Sequence, residues 1–354
     1  MTADAVGGVW RYSLDLARAL GARGVHVMLA VMGPAPSPAQ RREAMRAGVP
    51  IIESPYRLEW MDGAEDDVRR AGEWLLILEQ ALRPDLVHLN GYAHAALPWA
   101  SPTVVVAHSC VRTWWRAVKG DAAPRRYDGY TRAVLAGLRA ARAVVAPTQA
   151  MLAGLFDEYN LPLCARVIPN GCEPPARELE RSWGWKESLV LAAGRTWDDA
   201  KNIASLCSVA PQLTWPVCVA GETCGPNGEG TASDRGVRSL GCLPSRQMRG
   251  WYRKASIYAL PARYEPFGLS VLEAARAGCA LVIGDIPSLR ENWEDAALFV
   301  PPDDRHALAD AIQRLIDHPE LRLDLARRAV VRAGGFSIDR TADAYLHLYE
   351  SVIA

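Results

Sequence analysis

Two doubly wound α/β halves are the architecture this sequence predicts, on three observations. The chain has 354 residues, short valine- and isoleucine-rich runs alternate with longer amphipathic stretches, and a polar, proline-containing break falls near the middle. At about 150 residues per domain, this length calls for two cores rather than one. Half of the residues are hydrophobic and 23% are charged, enough apolar surface to fold and too little charge for a disordered chain.

In the first half the predicted strands are 25–31 (VHVMLAV), 86–89 (LVHL), 103–107 (TVVVA), 143–146 (AVVA) and 166–168 (RVI). Helical periodicity marks 9–20, 65–83 and 130–141 between them. The segment 169–188 (PNGCEPPARELERSWGWKES) breaks this rhythm and reads as the linker. Strands resume at 189–194, 215–221, 256–261, 280–285 and 297–302, and the chain closes with three helical patterns, the last after Gly334-Gly335. A doubly wound half should open with a strand, yet only Met1-Thr2-Ala3 precedes the polar Asp4 and the Gly7-Gly8 turn. The first strand is therefore expected to be a stub, and a chain start downstream of the natural one is the favoured explanation.

Charge and cysteine usage narrow the function classes. Lysine plus arginine (40) equals aspartate plus glutamate (40), so the long-range positive field that gathers nucleic acid is missing, and no nucleic-acid partner is expected. The eight cysteines include no Cys-x-x-Cys pair, and the chain is no compact secreted scaffold, so they read as reduced, mostly buried thiols of a cytoplasmic protein. The start carries no basic flank followed by an apolar run, and nowhere do eighteen apolar residues follow one another. Trp114, Trp115, Arg116 and Lys119 would suit peripheral contact with the inner face of a membrane; aromatic residues in a loop are the plainer reading.

The chemistry concentrates in two places. In 263–293 (RYEPFGLSVLEAARAGCALVIGDIPSLRENW), Pro266 and Gly268 end an extended run, and a helix begins near Gly268 and closes at Gly278. The first-turn amides around Phe267, Gly268 and Leu269 have no partner within the helix and suit a ligand rich in oxygen. Glu265 precedes those amides and Glu273 lies about a turn and a half further on, so the two carboxylates are set to grip different hydroxyls of a sugar or ribose. The alternative, Glu265 as a helix cap and Glu273 in solvent, has equal weight on these residues alone. The second cluster follows the strand LVLAAG: Gly194, Arg195 and then Lys201-Asn202 place two cations at the carboxyl end of a strand, where α/β sheets bind ligands. A guanidinium fork and a point charge together suit a diphosphate, although beside Asp198 and Asp199 an isolated pair would pass for surface cations.

Taken together, these stretches resemble the retaining glycosyltransferases of family 4, whose architecture is GT-B, two Rossmann-like domains facing across a cleft. The resemblance runs the whole chain, through DAVGGVWRYSLDLARAL, PDLVHL, VVVAHS, VVAPTQAM, VIPNGCE, AAGRTWDDAKNI, LGCLPSRQMRGWYRKASIYALPARYEPFGLSVLEAARAGCALVIGDIPSLREN and ALFVPPDD. It implies domains at 1–172 and 173–336, with a helix over 337–354 crossing back to the first. It also implies that Arg195 and Lys201 bind the donor diphosphate, Glu265 contacts the transferred sugar and Glu273 holds the ribose, with Phe267, Gly268 and Leu269 adding backbone donors. Gly7 and Gly8 would form the glycine turn, and His108 would face the sugar as a hydrogen-bonding positioner. The departure Pro261-Ala262-Arg263-Tyr264, where relatives often carry Pro-Ser, puts Arg263 near the donor. No Asp-x-Asp element ends a strand, and Asp303-Asp304 read as a helix cap, so neither a metal nor a cofactor is expected. The implied activity is transfer of a sugar from a nucleoside-diphosphate donor to a hydroxyl of a polysaccharide, lipid-linked or small-molecule acceptor. A nucleotide-sugar epimerase of the same architecture and an inactive nucleotide-sugar-binding protein remain as alternatives.

Overall fold

The computed structural model describes residues 1–160, 165–173, 186–225 and 236–354. The chain divides into two compact units, one of Met1–Gly171 with Ile338–Ala354 and the other of Cys172–Ser337. In the first, β1 (Thr2–Asp4), β2 (Leu29–Met32) and β3 (Ile51–Glu53) form one parallel set, with β2 in the middle. A second parallel set runs β4 (Val87–Leu89), β5 (Thr103–Val106), β6 (Ala143–Ala146) and β7 (Ala165–Val167). β1 and β4 lie side by side. Asn90 links them: its N–H donates to Thr2 Oγ1 at 2.8 Å and its Nδ2 to the Thr2 carbonyl at 2.7 Å.

Between these strands run α1 (Gly8–Gly21), α2 (Pro38–Arg46), α3 (Glu65–Leu82), α4 (Val111–Lys119), α5 (Asp128–Ala140) and α6 (Gln149–Tyr159). α1 buries Trp10, Leu14 and Ala17 at helical spacing against Ala3, Leu29 and Val31. α2 opens on a capping box, Ser37 with Gln40, and Pro38 at its first position.

Among the described residues the second unit has a six-stranded parallel sheet: β8 (Glu187–Ala193), β9 (Val217–Ala220), β10 (Arg238–Gly241), β11 (Ala255–Leu260), β12 (Ala280–Gly284) and β13 (Ala297–Val300), in the order β10-β9-β8-β11-β12-β13. Its inner strands are apolar on both faces; Val190, Leu191, Ile257, Tyr258, Leu281 and Val282 are fully buried, as a parallel sheet covered by helices requires. The covering helices are α7 (Ile203–Val209), α8 (Ser245–Lys254), α9 (Leu269–Arg276), α10 (Pro287–Trp293), α11 (Arg305–Asp317) and α12 (Pro319–Ala333). Phe336 stacks edge-on to Phe267 at 5.5 Å and lies 5.9 Å from Trp293, seating the turn before α9 on an aromatic floor. The last helix, α13 (Ile338–Ile353), packs on α1 in the first unit, where Arg23 pairs with Asp343 at 2.6 Å.

The periodic helices and central strands fall where the sequence places them, and the edges do not. β3 and β10 carry half-buried or exposed residues and no apolar run, so they give no strand signal. The run 25–31 becomes strand only from Leu29. Trp114 and Trp115 lie on helix α4 rather than in a loop. The seven described cysteines are free thiols, with Cys224 and Cys242 exposed and Cys164 outside the described residues. Most of the proposed linker, 174–185, also lies outside them. Among the described residues no helix is long and apolar enough to cross a membrane.

Gly284 ends β12 against the loop that carries Glu265: a Cβ there would sit 2.1 Å from the Ala262 carbonyl oxygen. Gly284→Ala is expected to cost about 1–3 kcal/mol in urea unfolding. Gly250→Ala, on α8 with nothing within 4 Å of the added carbon, should instead be neutral or mildly stabilising.

Candidate active site

The winding of the second sheet opens a ligand site. After β8 the chain builds outward through β9 to β10, then returns to the other side of β8 with β11. The loops after β8 and β11 therefore diverge, leaving a crevice at the carboxyl ends of neighbouring strands, the switch point where open α/β sheets hold ligands. All the candidate residues of this unit come from those two loops and the helix after the second.

Arg195 and Lys201 follow β8. Arg195 Nη2 pairs with Asp198 Oδ2 at 2.6 Å, and its guanidinium lies 5.3 Å from the Trp197 ring. Its Nε is buried with no hydrogen-bond partner among the described residues. Lys201 Nζ pairs with Glu265 Oε2 from the loop after β11, joining the two loops. Asp198 is buried; burial alone would raise its carboxyl, but Arg195 and Lys201 beside it hold it below the usual carboxylate range. Two cations and two carboxylates thus make a locally neutral group, which the sequence had read as a cationic pair opposite a separate glutamate.

Glu265 takes the capping role weighed for it and is also held by Lys201. One oxygen pairs with Lys201 while Oε1 accepts the Gly268 N–H at 3.1 Å, so that amide is taken by the protein's own carboxylate. Ser288 Oγ steadies the Glu265 carbonyl at 2.5 Å. Gly268 sits in the left-handed region at φ 90°, a conformation that glycine adopts without strain, and starts α9. Phe267 is buried, its carbonyl accepting from Asn292 Nδ2 at 3.2 Å, and Leu269 begins the helix half-buried. Glu273, on α9, is also half-buried; the Tyr252 hydroxyl is pushed up by burial and by its hydrogen-bonded neighbour Glu273. The solvent-facing alternative for Glu273 is thereby set aside.

Two residues given little weight in the sequence build the scaffold of Lys201. Asn202, buried and left-handed at φ 54°, donates Nδ2 to the carbonyls of Pro261 (2.8 Å) and Pro302 (2.7 Å), tying together the loops after β8, β11 and β13. Arg263 donates Nη1 to Asn202 Oδ1 (2.6 Å) and Nη2 to Asp303 Oδ1 (2.7 Å), while its backbone N–H bonds the Ala200 carbonyl at 2.8 Å. Arg263 therefore braces the turn before Lys201 rather than adding uncompensated charge. Asp304 caps α11 through the Ala307 N–H at 2.9 Å, as its sequence position predicts.

In the first unit, β1 and β4 form the corresponding switch point. Gly7, at φ 70°, and Gly8 are exposed where β1 passes into α1. His108 follows β5, half-buried, with Nε2 2.9 Å from Asn90 Oδ1 and its ring edge-on to Tyr12 at 4.5 Å. His88 on β4 reaches the same Asn90 oxygen through Nε2 at 3.1 Å and meets the Tyr349 hydroxyl of α13 through Nδ1 at 2.6 Å. Asn90 and His88 carried no sequence signal, because a polar residue at the end of a short apolar strand is unremarkable until its neighbours are known. Burial lowers both imidazoles from 6.5 to about 3.

That lowering fixes a pH dependence. Between about pH 6.5 and 3 the unfolded chain binds more protons than the folded one, so this part of the stability is complete above 6.5 and falls as the pH falls, by up to about 1.4 kcal/mol per pH unit for each imidazole. The buried Met1 amine, lowered from 8.0 to about 5, acts in the same direction between those values. Denaturant unfolding at pH 5 and 7.5 should show the loss, and His88→Gln should make the slope shallower.

Comparison with known proteins places this geometry. Residues 6–174 match the Glycosyltransferase Family 4 model, and residues 187–318 match Glycosyl transferases group 1. The chain is 34% identical over 154 residues to a D-inositol 3-phosphate glycosyltransferase of Saccharomonospora viridis, a match covering 39% of this chain and 35% of that protein. The chain thus spans about a third of the length of that curated relative. It is 25% identical over 270 residues to the lipopolysaccharide core biosynthesis mannosyltransferase LpsB of Rhizobium meliloti, 70% of this chain and 76% of that one. Among solved structures, sucrose-phosphate synthase from Thermosynechococcus elongatus superposes with a TM-score of 0.79 at 20% identity, over 99% of this chain and 95% of that one. Anabaena HepE in complex with UDP-glucose superposes at 0.74 and 16%, over 99% and 100%. These share the GT-B fold of two parallel-sheet α/β domains. With both halves matched in chain order, the chain belongs to the group 1, family 4 glycosyltransferases.

Proposed function

We propose that this protein is a retaining glycosyltransferase that moves a sugar from a nucleoside-diphosphate donor to an acceptor hydroxyl, without a metal or other cofactor. The observation that carries the reading is the pairing of Lys201 with Glu265 across the switch point, beside an Arg195 whose buried Nε has no acceptor among the described residues. A buried donor without a partner is costly unless a ligand supplies one, and a diphosphate offers both the acceptor oxygens and the charge. Negative charge grows on the diphosphate as the glycosidic bond breaks, so cations already in place stabilise that state most. Glu265, freed in part from Lys201 by the competing phosphate, turns an oxygen to the sugar, and Glu273 takes the ribose. That HepE is solved with UDP-glucose supports a donor of this class. The acceptor is a glycan, a lipid-linked sugar or a small molecule.

On α4, Trp114 and Trp115 lie 5.5 Å apart, with Lys119 over the first ring and Arg126 over the second. Such an amphipathic aromatic and cationic surface supports peripheral association with the inner face of a membrane. Co-sedimentation with phosphatidylglycerol vesicles, weakened by Trp115→Ala and absent with phosphatidylcholine, is the expected result.

A thermal-shift panel of UDP, GDP, ADP, TDP and their sugar conjugates tests the donor. One nucleotide family should raise the midpoint, by a stabilisation of about 2.7 kcal/mol at a hundredfold excess over Kd. Binding without transfer to any acceptor would favour the inactive binder, and an epimerised free sugar the epimerase. Transfer lost in excess chelator would overturn metal independence. Lys201→Met should cut turnover about 10²- to 10³-fold and also lower stability, because it strands Glu265. Lys201→Met with Glu265→Met should recover stability while staying inactive. Wild-type turnover in either variant would remove the pair from the site.

A further inference from the structure

We propose that Asn90 is a positioning residue for His108: it fixes the imidazole as the Nε2–H tautomer and leaves Nδ1 as an acceptor for a substrate hydroxyl. The contact with substrate rests on the transferase reading above; the tautomer follows from hydrogen-bond valence alone.

Asn90 Nδ2 lies 2.7 Å from the Thr2 carbonyl oxygen and 3.0 Å from Ser13 Oγ. A carbonyl oxygen only accepts, so the atom facing it is the amide nitrogen, and the amide cannot be turned over. The opposite atom is then Oδ1, which has no proton to give. Both imidazoles approach it through Nε2, His108 at 2.9 Å and His88 at 3.1 Å, so both must donate there. Two donated and two accepted hydrogen bonds use the whole capacity of the amide, which leaves it a single orientation.

A neutral imidazole carries one ring proton, so Nδ1 is bare in both histidines. In His88 it accepts from the Tyr349 hydroxyl at 2.6 Å. In His108 it has no partner among the described residues. Among the described residues, the titratable groups that meet the pair are Tyr12 of α1, Tyr345 and Tyr349 of α13 and the Met1 amine. None of these is an anion at neutral pH, so none of them favours protonation of either ring. His108 is therefore held as an acceptor and not as an acid, and Tyr349 and His88 buttress the residue that holds it.

The test is a nitrogen-15 spectrum of the histidine-labelled full chain at pH 7.5. His88, His108 and the buried His94, whose Nε2 donates to the Val68 carbonyl at 3.0 Å, should all appear as neutral Nε2–H tautomers, the His108 signal being the one that His108→Gln removes; His108 as Nδ1–H, or as imidazolium, overturns the proposal. Asn90→Leu should release His108 into a mixture of tautomers and lower kcat/KM for the donor about ten-fold, the equivalent of one hydrogen bond of about 1.4 kcal/mol. A folded Asn90→Leu chain with an unchanged His108 spectrum refutes the positioning role. Asn90→Asp keeps the acceptor but adds a charge, so His108 should stay Nε2–H at pH 7.5 and protonate at a higher pH than in the wild type. If the wild-type tautomer is as assigned and no nucleotide sugar binds, the transferase reading fails and the assignment of the tautomer stands.

Discussion

Parallel pairing of β8 with β11 is the constraint on which the candidate site depends. The two strands are neighbours in the sheet and separated in the chain by β9 and β10, so their connecting loops leave in opposite directions and cannot cover each other. Because the strands are parallel, both loops emerge at the same end. Arg195 and Lys201 arrive on one, Glu265 on the other, and the ion pair between Lys201 and Glu265 spans the gap that the topology creates.

The site that results is neutral and tightly partnered. Arg195 answers Asp198, Lys201 answers Glu265, and Asn202 and Arg263 brace the turn between them. Such a group need not repel its surroundings in the absence of a ligand. It also holds its cations in the crevice before any ligand arrives, as electrostatic stabilisation of a transition state requires. The Glu265 contact with the Gly268 amide adds a second restraint on the same carboxylate.

The first unit solves a related problem with uncharged groups. Between β1 and β4, Asn90 joins the two parallel sets and at the same time receives both histidines. One amide side chain thus couples the integrity of the unit to the orientation of His108. Charged groups in that place would face the desolvation that already lowers both imidazoles.

The sequence by itself determined the fold class, the central strands and the long helices, and it offered candidate site residues such as Lys201 and Glu265. These features are local: a buried parallel strand needs a continuous apolar run, an amphipathic helix a 3.6-residue period, and a turn at positive φ a glycine such as Gly268. The motif order from Gly7-Gly8 to Glu273 carried the family as well. Only the tertiary structure decided what those residues touch. That Lys201 meets Glu265 across 64 positions, that Arg263 is tied to Asn202 and Asp303, and that Asn90 gathers Thr2, Ser13, His88 and His108 are contacts between distant segments. The edge strands β3 and β10 were hidden for the same reason: half-exposed residues carry no periodic signal, and it is the ladder to a buried neighbour that makes them strands.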